Sequence, residues 1–285
     1  MWNKTFYNKQ LEYGYDVIQT DDSGYILTGT ISWDEMGLIK TDNMGNIIWY
    51  KFYNGTGMSV KQTDDGGYIV AGSTRKQSAG SFDVWLLKTD SNGECLWIKT
   101  FGGRYMDWGY SVEITNDGGY IVAGFKSGNT STKGDDAWVI KTDSNGDHLW
   151  NKTYGRKRGD IAYSIQQTSD GGYIIAGNSY KLINPDGMLI KTNSNGDEEW
   201  VRYIGGLFYD ELNCVQQTTD GGYIITGCTV TGWSGFWDLD VWLVKTDSNG
   251  NIPRSRAINT PFNWLYNFLQ SHPNLFPILR HLLGL

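Results

Sequence analysis

The sequence predicts an all-β protein, a five-bladed β-propeller of four-stranded blades over residues 1–252, followed by an amphipathic helical segment at 257–285. Three observations predict it. The phrase Asp-Gly-Gly-Tyr-Ile recurs around Tyr68, Tyr120, Tyr173 and Tyr223, with a degenerate copy, Asp22-Ser23-Gly24-Tyr25-Ile26, ahead of them. A second phrase follows each copy: Asp83-Val84-Trp85-Leu86-Leu87-Lys88-Thr89-Asp90-Ser91-Asn92-Gly93 has counterparts ending at Gly45, Gly146, Gly196 and Gly250. Two phrases in fixed order, repeated about every fifty residues, mark a repeat architecture. Third, a strand missing from the last copy is present at the start of the chain.

Each copy reads as four strands. The first carries alternating apolar residues and ends in Thr, as in Tyr163-Ser164-Ile165-Gln166-Gln167-Thr168. An Asp-Gly turn leads into the second, Tyr173-Ile174-Ile175-Ala176-Gly177; such a turn between apolar runs signals a hairpin, because Gly takes positive φ without steric cost. The third strand, Trp138–Thr142, meets the fourth, His148–Lys152, across Asp143-Ser144-Asn145-Gly146, where the Asp closes an Asx-turn and the Gly takes the left-handed region. The fifth copy ends at Asp247-Ser248-Asn249-Gly250 and then departs at Pro253, without its fourth strand. Trp2-Asn3-Lys4-Thr5-Phe6 matches Trp150-Asn151-Lys152-Thr153-Tyr154 position by position, so an N-terminal strand at 1–7 is expected to complete the last blade and pair its open edge.

Composition agrees and narrows function. Thirty-seven Gly, 13 Trp and 18 Tyr among 285 residues suit tight turns and aromatic packing in a many-stranded protein. A net charge of −7 argues against a nucleic-acid partner, which needs a surplus of Lys and Arg. Cys95, Cys214 and Cys228 are too few for a disulfide framework; they read as reduced, small core residues, with a Cys214–Cys228 bridge as the alternative. The N-terminus has no apolar stretch behind a basic start, the mark of a secretory signal, so the expectation is either a cytoplasmic protein or a sequence that begins after processing.

The units resemble the Asp-Gly-Gly-Tyr-Ile type propeller repeats of archaeal and bacterial surface proteins and, more distantly, quinoprotein-type and kelch-type blades. The resemblance covers Trp2 to about Asn251 and departs where Gly37 and Met188 replace the third-strand Trp. It implies a propeller at a cell surface or outside the cell. On activity it says little, since propellers host lectins, glycosidases, dehydrogenases and scaffolds alike.

Residues present in most blades are expected to build the blades. Trp49, Trp97, Trp150 and Trp200 recur at one position and Trp85, Trp138 and Trp242 at another, which assigns them to packing between blades. Lys40, Lys88, Lys141, Lys191 and Lys245 are expected to lay their stems along the blade and reach a carboxylate or solvent. The Asp-Ser-Asn-Gly turns offer too few oxygen ligands for calcium, and His148, His272 and His281 are scattered, so neither a metal nor a cofactor is expected. No nucleophile elbow or phosphate loop is present. Asp107, Asp160 and Asp210 precede the first strand of three blades and are the carboxylates that a glycosidase would use at a channel mouth.

Variation lies in the connections from second to third strand and from fourth strand to next blade, which share one face of a propeller. That face is the expected binding surface. Trp33, Phe82, Tyr105, Trp108, Tyr180, Phe208, Tyr209, Trp233, Phe236 and Trp237 fall in or beside it, and aromatic faces flanked by Asp, Asn and Lys suit sugar rings or protein hot spots. In the tail, Thr260-Pro261 starts a helix carrying Phe262, Leu265, Tyr266, Phe268 and Leu269. After Pro273 a second short helix carries Leu275, Phe276, Leu279 and Leu282, and neither is long enough to span a membrane. The tail packs on the propeller, on a partner or second copy, or in a membrane interface. The sequence thus reads as a non-enzymatic binding or scaffolding propeller for a glycan or protein. The alternatives are a glycosidase-like enzyme and a subunit assembling through its tail.

Overall fold

The computed structural model describes residues 2–6, 13–32, 35–76, 81–128, 134–156, 159–180, 184–206, 208–230 and 239–252. They form five antiparallel sheets, each a meander in chain order. The first holds β1 (Tyr13–Gln19), β2 (Tyr25–Ser32), β3 (Glu35–Thr41) and β4 (Ile47–Asn54); the second β5 (Thr56–Gln62), β6 (Tyr68–Thr74), β7 (Asp83–Thr89) and β8 (Cys95–Phe101). The third holds β9 (Asp107–Ile114), β10 (Tyr120–Lys126), β11 (Asp136–Thr142) and β12 (His148–Tyr154); the fourth β13 (Asp160–Gln167), β14 (Tyr173–Tyr180), β15 (Pro185–Thr192) and β16 (Glu198–Ile204). The fifth has three strands, β17 (Asp210–Gln217), β18 (Tyr223–Val230) and β19 (Leu239–Thr246).

The recurring polar residues are turn hardware. In the second sheet Asp65 Oδ1 accepts from Thr63 Oγ1 at 2.6 Å and from the Gly67 amide at 2.9 Å. Lys88 crosses from β7 to Asp65 at 2.8 Å and donates to the Thr89 carbonyl at 2.9 Å. Lys40–Asp22, Lys141–Asp117, Lys191–Asp170 and Lys245–Asp220 repeat the ion pair. The bond from Lys40, helped by Thr20, holds the Asp22 carboxyl down at about 2. In the other hairpin turn Asp90 Oδ1 accepts the Asn92 and Glu94 amides at 2.9 and 2.8 Å, as an Asx-turn requires.

The sheets pack face to face, with one apolar cluster between each consecutive pair. A fourth-strand Trp bridges every joint: Trp49 meets Tyr68 at 5.8 Å, Trp97 meets Tyr120 at 5.9 Å, Trp150 meets Tyr173 at 6.0 Å and Trp200 meets Tyr223 at 5.9 Å. The same ring lies over the turn Gly of the following sheet, and a Cβ on Gly93 (φ +75°) would come 2.7 Å from Trp49. Glycine is needed there for both conformation and space. The first strands β1, β5, β9, β13 and β17 pack on one another in succession and so form the innermost layer.

The two ends of this array differ from its joints. Trp2 meets Tyr25 at 6.0 Å and covers Gly45, while Lys4 reaches Asn46 at 3.1 Å, just as the fourth strand of one sheet treats the next. Trp2–Phe6 nevertheless takes no strand conformation, and among the described residues β19 is the outer strand of a three-stranded sheet. Val17 is 59% exposed where its counterparts Val60, Val112, Ile165 and Val215 are buried. Val241 and Leu243, 91% and 70% exposed, correspond to the buried Val84 and Leu86.

The thiols depart from expectation. All three cysteines are free, and Cys95 and Cys214 are exposed rather than part of the core. Cys95 opens an outermost strand, and Cys214 lies on the first strand of the uncovered end sheet. Register sets Cys214 opposite Thr226 and Cys228 opposite Glu211, so the two do not face each other for a bridge.

Candidate functional site

The connections of variable sequence meet at one rim, opposite the hairpin turns. Backbone hydrogen bonds strap them together: Asp107 N–H to Phe82 O at 2.7 Å, Asp160 N–H to Asp135 O at 2.8 Å and Val230 N–H to Tyr209 O at 3.0 Å.

The three carboxylates that begin β9, β13 and β17 are loop latches. Asp107 accepts the Gly103 amide at 2.9 Å, Asp160 the Arg156 amide at 2.6 Å and Asp210 the Gly206 amide at 2.7 Å, always four residues back. Their other oxygen faces the end of the second strand, where Ser127 N–H reaches Asp107 at 3.1 Å and Thr229 Oγ1 reaches Asp210 at 2.5 Å. All three are buried. Burial pushes the Asp107 and Asp160 carboxyls up to about 6, with Asp83 and Asp136 nearby adding to it. In the second sheet Gly55 stands at this position and no latch forms. What repeats in the three sheets is the bond to the amide four residues back, which closes the loop ahead of the first strand; the second oxygen differs, and that of Asp160 has no hydrogen-bond partner among the described residues.

A less obvious repeat places the variable side chains. In every sheet the register between first and second strand slips by one residue, leaving Tyr15, Met58, Tyr110, Tyr163 and Asn213 unpaired in a β-bulge. A bulge turns its side chain out of the ladder and is common beside binding sites. The second strand accommodates it with a glycine: a Cβ on Gly124 would fall 1.8 Å from Trp108 O, and Gly29, Gly72, Gly177 and Gly227 are equally crowded. The bulge is thus invariant, whereas the residue it displays is not.

In the third and fourth sheets it displays tyrosines. Tyr110 and Tyr163 lie with ring centroids 5.1 Å apart across β9 and β13. The row continues through Trp108, 6.5 Å from Tyr110, to Phe82, 5.0 Å from Trp108, with the Arg75 guanidinium 4.3 Å over the Phe82 ring. At its other end Asn178 Nδ2 donates to Tyr163 Oη at 3.4 Å and to Glu211 Oε2 at 3.1 Å, and Tyr209 Oη also donates to Glu211. Burial, then Glu211, pushes the Tyr110 hydroxyl up to about 12, and the same two causes raise Tyr163 further.

Of the aromatic residues expected at this face, Trp108 is half-buried in the row and Phe82 is buried beneath it. Tyr209 joins through Glu211, while Tyr180 is exposed at the end of β14. Tyr105 and Phe208 are half-buried in the connections leading to β9 and β17. Trp33, Trp233, Phe236, Trp237 and the tail residues Phe262, Leu265, Phe268, Leu275, Phe276, Leu279 and Leu282 lie outside the described residues. Sequence reasoning missed Tyr110, Tyr163, Asn178 and Glu211. The signal was the second-strand Gly four residues after each repeat Tyr, which marks the bulge. Among the described residues no group of three His, Cys, Asp or Glu side chains is placed to hold a metal ion, and no helix is long and apolar enough to cross a membrane.

No protein-family model and no curated protein sequence matches the chain. Solved structures do. A protein of unknown function from Bacteroides caccae superposes with a TM-score of 0.54 at 13% identity, over 85% of this chain and 80% of its own. The WD40 domain of Pan2 from Neurospora crassa gives a TM-score of 0.51 at 11% identity over 82% of this chain, which spans 63% of that one. An endo-arabinase from Bacteroides thetaiotaomicron gives 0.47 at 11% identity, over 83% of this chain and 94% of its own. At such identities the first two speak for architecture alone: the five sheets form a β-propeller-like fold.

Proposed function

We propose that this chain is a non-enzymatic binding propeller that presents its variable, aromatic-rich loop face to a glycan or protein at a cell surface. The observation that carries the reading is the bulge: one invariant backbone device displays Tyr in three sheets, Met in another and Asn in the last, as a recognition surface built on a repeated scaffold requires. The latching of Asp107, Asp160 and Asp210 onto loop amides supports binding over hydrolysis. A glycan array with the full chain tests it. Binding is expected, and Trp108→Ala is expected to lose it while keeping the parent chain's β-sheet circular dichroism spectrum. Oligosaccharide hydrolysis that disappears in Asp107→Asn would replace this reading with an enzymatic one.

The working form is a closed five-bladed ring, with Trp2–Phe6 as the fourth strand of the last blade. Supporting this, the N-terminal residues already occupy a fourth strand's place against the first sheet. The end sheets carry matching halves of the inter-blade bonds. Asp16, Ser111 and Ser164 each accept an amide of the following first strand. Likewise Gln62, Gln167 and Gln217 accept a turn amide of the preceding sheet, and Gln19 stands ready at the first. Deleting residues 1–7 is expected to lower the melting temperature by more than about 10 °C, because it removes both an edge strand and the Trp2 ring that packs on Tyr25. An unchanged value would remove the closure model.

A further inference from the structure

Glu211 differs from the other acidic side chains of the loop rim. Asp107, Asp160 and Asp210 hold backbone amides, and Asp135 takes the Ser127 hydroxyl at 2.6 Å. Glu211 is half-buried at the strand position that Tyr13, Thr56, Trp108 and Ile161 occupy in the other sheets. Its two donors, Asn178 Nδ2 and Tyr209 Oη, are neutral and share one oxygen, Oε2. Among the described residues no Lys or Arg pairs with it.

A second observation lies beside it. Asn178 is only 1% exposed; its amide nitrogen is engaged with Tyr163 and Glu211, while its carbonyl Oδ1 is buried without a hydrogen-bond partner. A buried acceptor left unmet is costly, and such groups in native proteins mark sites that something else completes. The bulged Tyr163 lies against the same Asn178, and Tyr110 lies against Tyr163.

A carboxylate that finds no cation and an amide oxygen that finds no donor among the described residues, beside two tyrosine rings, ask for a ligand that brings positive charge and N–H groups together. We propose that this site binds an organic ammonium group, which donates to Asn178 Oδ1 and to the second oxygen of Glu211 and sets its carbon skeleton against Tyr110 and Tyr163. A neutral hydroxyl would supply a donor and leave the charge unmatched, and an acidic sugar is repelled. The chain's net charge of −7 adds long-range attraction for a cation. The assignment rests on the binding-propeller reading and narrows its ligand.

Calorimetric titration of the full chain with two matched pairs of probes tests it: glucosamine against glucose, and n-butylammonium against n-butanol. The amine of each pair is expected to bind at least about tenfold tighter at pH 7, the order of one charge-assisted hydrogen bond. A preference in the sugar pair alone identifies an amino sugar as the source of the ammonium; a preference in both identifies the ammonium group itself. Glu211→Gln is expected to abolish the preference without changing the melting temperature. If that variant fails to fold, Glu211→Asp, which keeps the charge but withdraws it, is expected to weaken the amines and leave the neutral probes unchanged. Equal binding of amine and neutral partner, binding of no probe, or a preference that survives Glu211→Gln overturns the assignment. Neutral glycans that bind through Trp108 without favouring amines would overturn it and leave the binding-propeller reading standing.

Discussion

The two rims of the molecule carry similar numbers of connections and treat them in opposite ways. At the turn rim every blade uses the same hairpins, with the same Asp on its own turn amides and the same Lys reaching across the strands. At the loop rim connection lengths differ, the latch Asp is missing from the second sheet, and the bulged residue is Tyr, Met or Asn. The difference separates two kinds of information. Bonds that recur with fixed geometry hold the sheets, and what varies on that frame is free to recognise something.

Four experiments would break or sharpen this contrast. The largest effect is expected from pH. Asp107 and Asp160 titrate near 6 in the folded protein against an ordinary value of 3.8. The folded state therefore binds more protons than the unfolded one between those values. The stability these carboxyls allow is full below about pH 4 and lost as pH rises through about 6, by about 2–3 kcal/mol for each. Asp22, Asp65 and Asp170, held at about 2, lose their contribution only as pH falls below about 4, so the upper window isolates the loop rim. Melting temperature is expected to fall from pH 4.5 to 7, and Asp107→Asn to flatten that fall; a flat profile in the parent chain would contradict the burial of both groups.

Next is Gly67→Ala at the turn rim, whose Cβ would meet the Thr89 carbonyl at 2.1 Å and Lys88 Nζ at 2.6 Å. A loss of about 1–3 kcal/mol is expected in denaturant melts. Lys141→Met should lose about 1–2 kcal/mol. It strips the buried Thr142 carbonyl of its donor, whereas Asp117 stays open to water. The smallest effect belongs to Gly103→Ala at the loop rim, where a new Cβ meets nothing within 4 Å and a change within about 0.5 kcal/mol is expected. Should Gly103→Ala cost as much as Gly67→Ala, the division between the rims is wrong.

Much of the fold was legible because its signals are local. Thr63, Asp65, Gly66 and Gly67 sit within five residues, and their hydrogen bonds close inside that span. The Lys to Asp pairs and the Trp to Tyr joints were legible in kind, since only a scaffold residue recurs in every copy. The cysteines were misread because exposure depends on which strand lies outermost and which sheet face is left uncovered. The Tyr110–Tyr163–Asn178–Glu211 group was not legible at all. Its members come from three sheets, and the bulge that presents the tyrosines is a matter of register, not of residue type.

By itself the sequence determined the hairpins, the four-stranded unit and its repetition, because turn chemistry and alternating apolar residues act over a few bonds' distance. Only the tertiary structure decided that three repeated carboxylates are buried latches, that the varying residues stand on bulges, and that Glu211 and Asn178 share one partly unsatisfied site. Burial, register and the meeting of side chains more than thirty positions apart arise only when whole sheets pack.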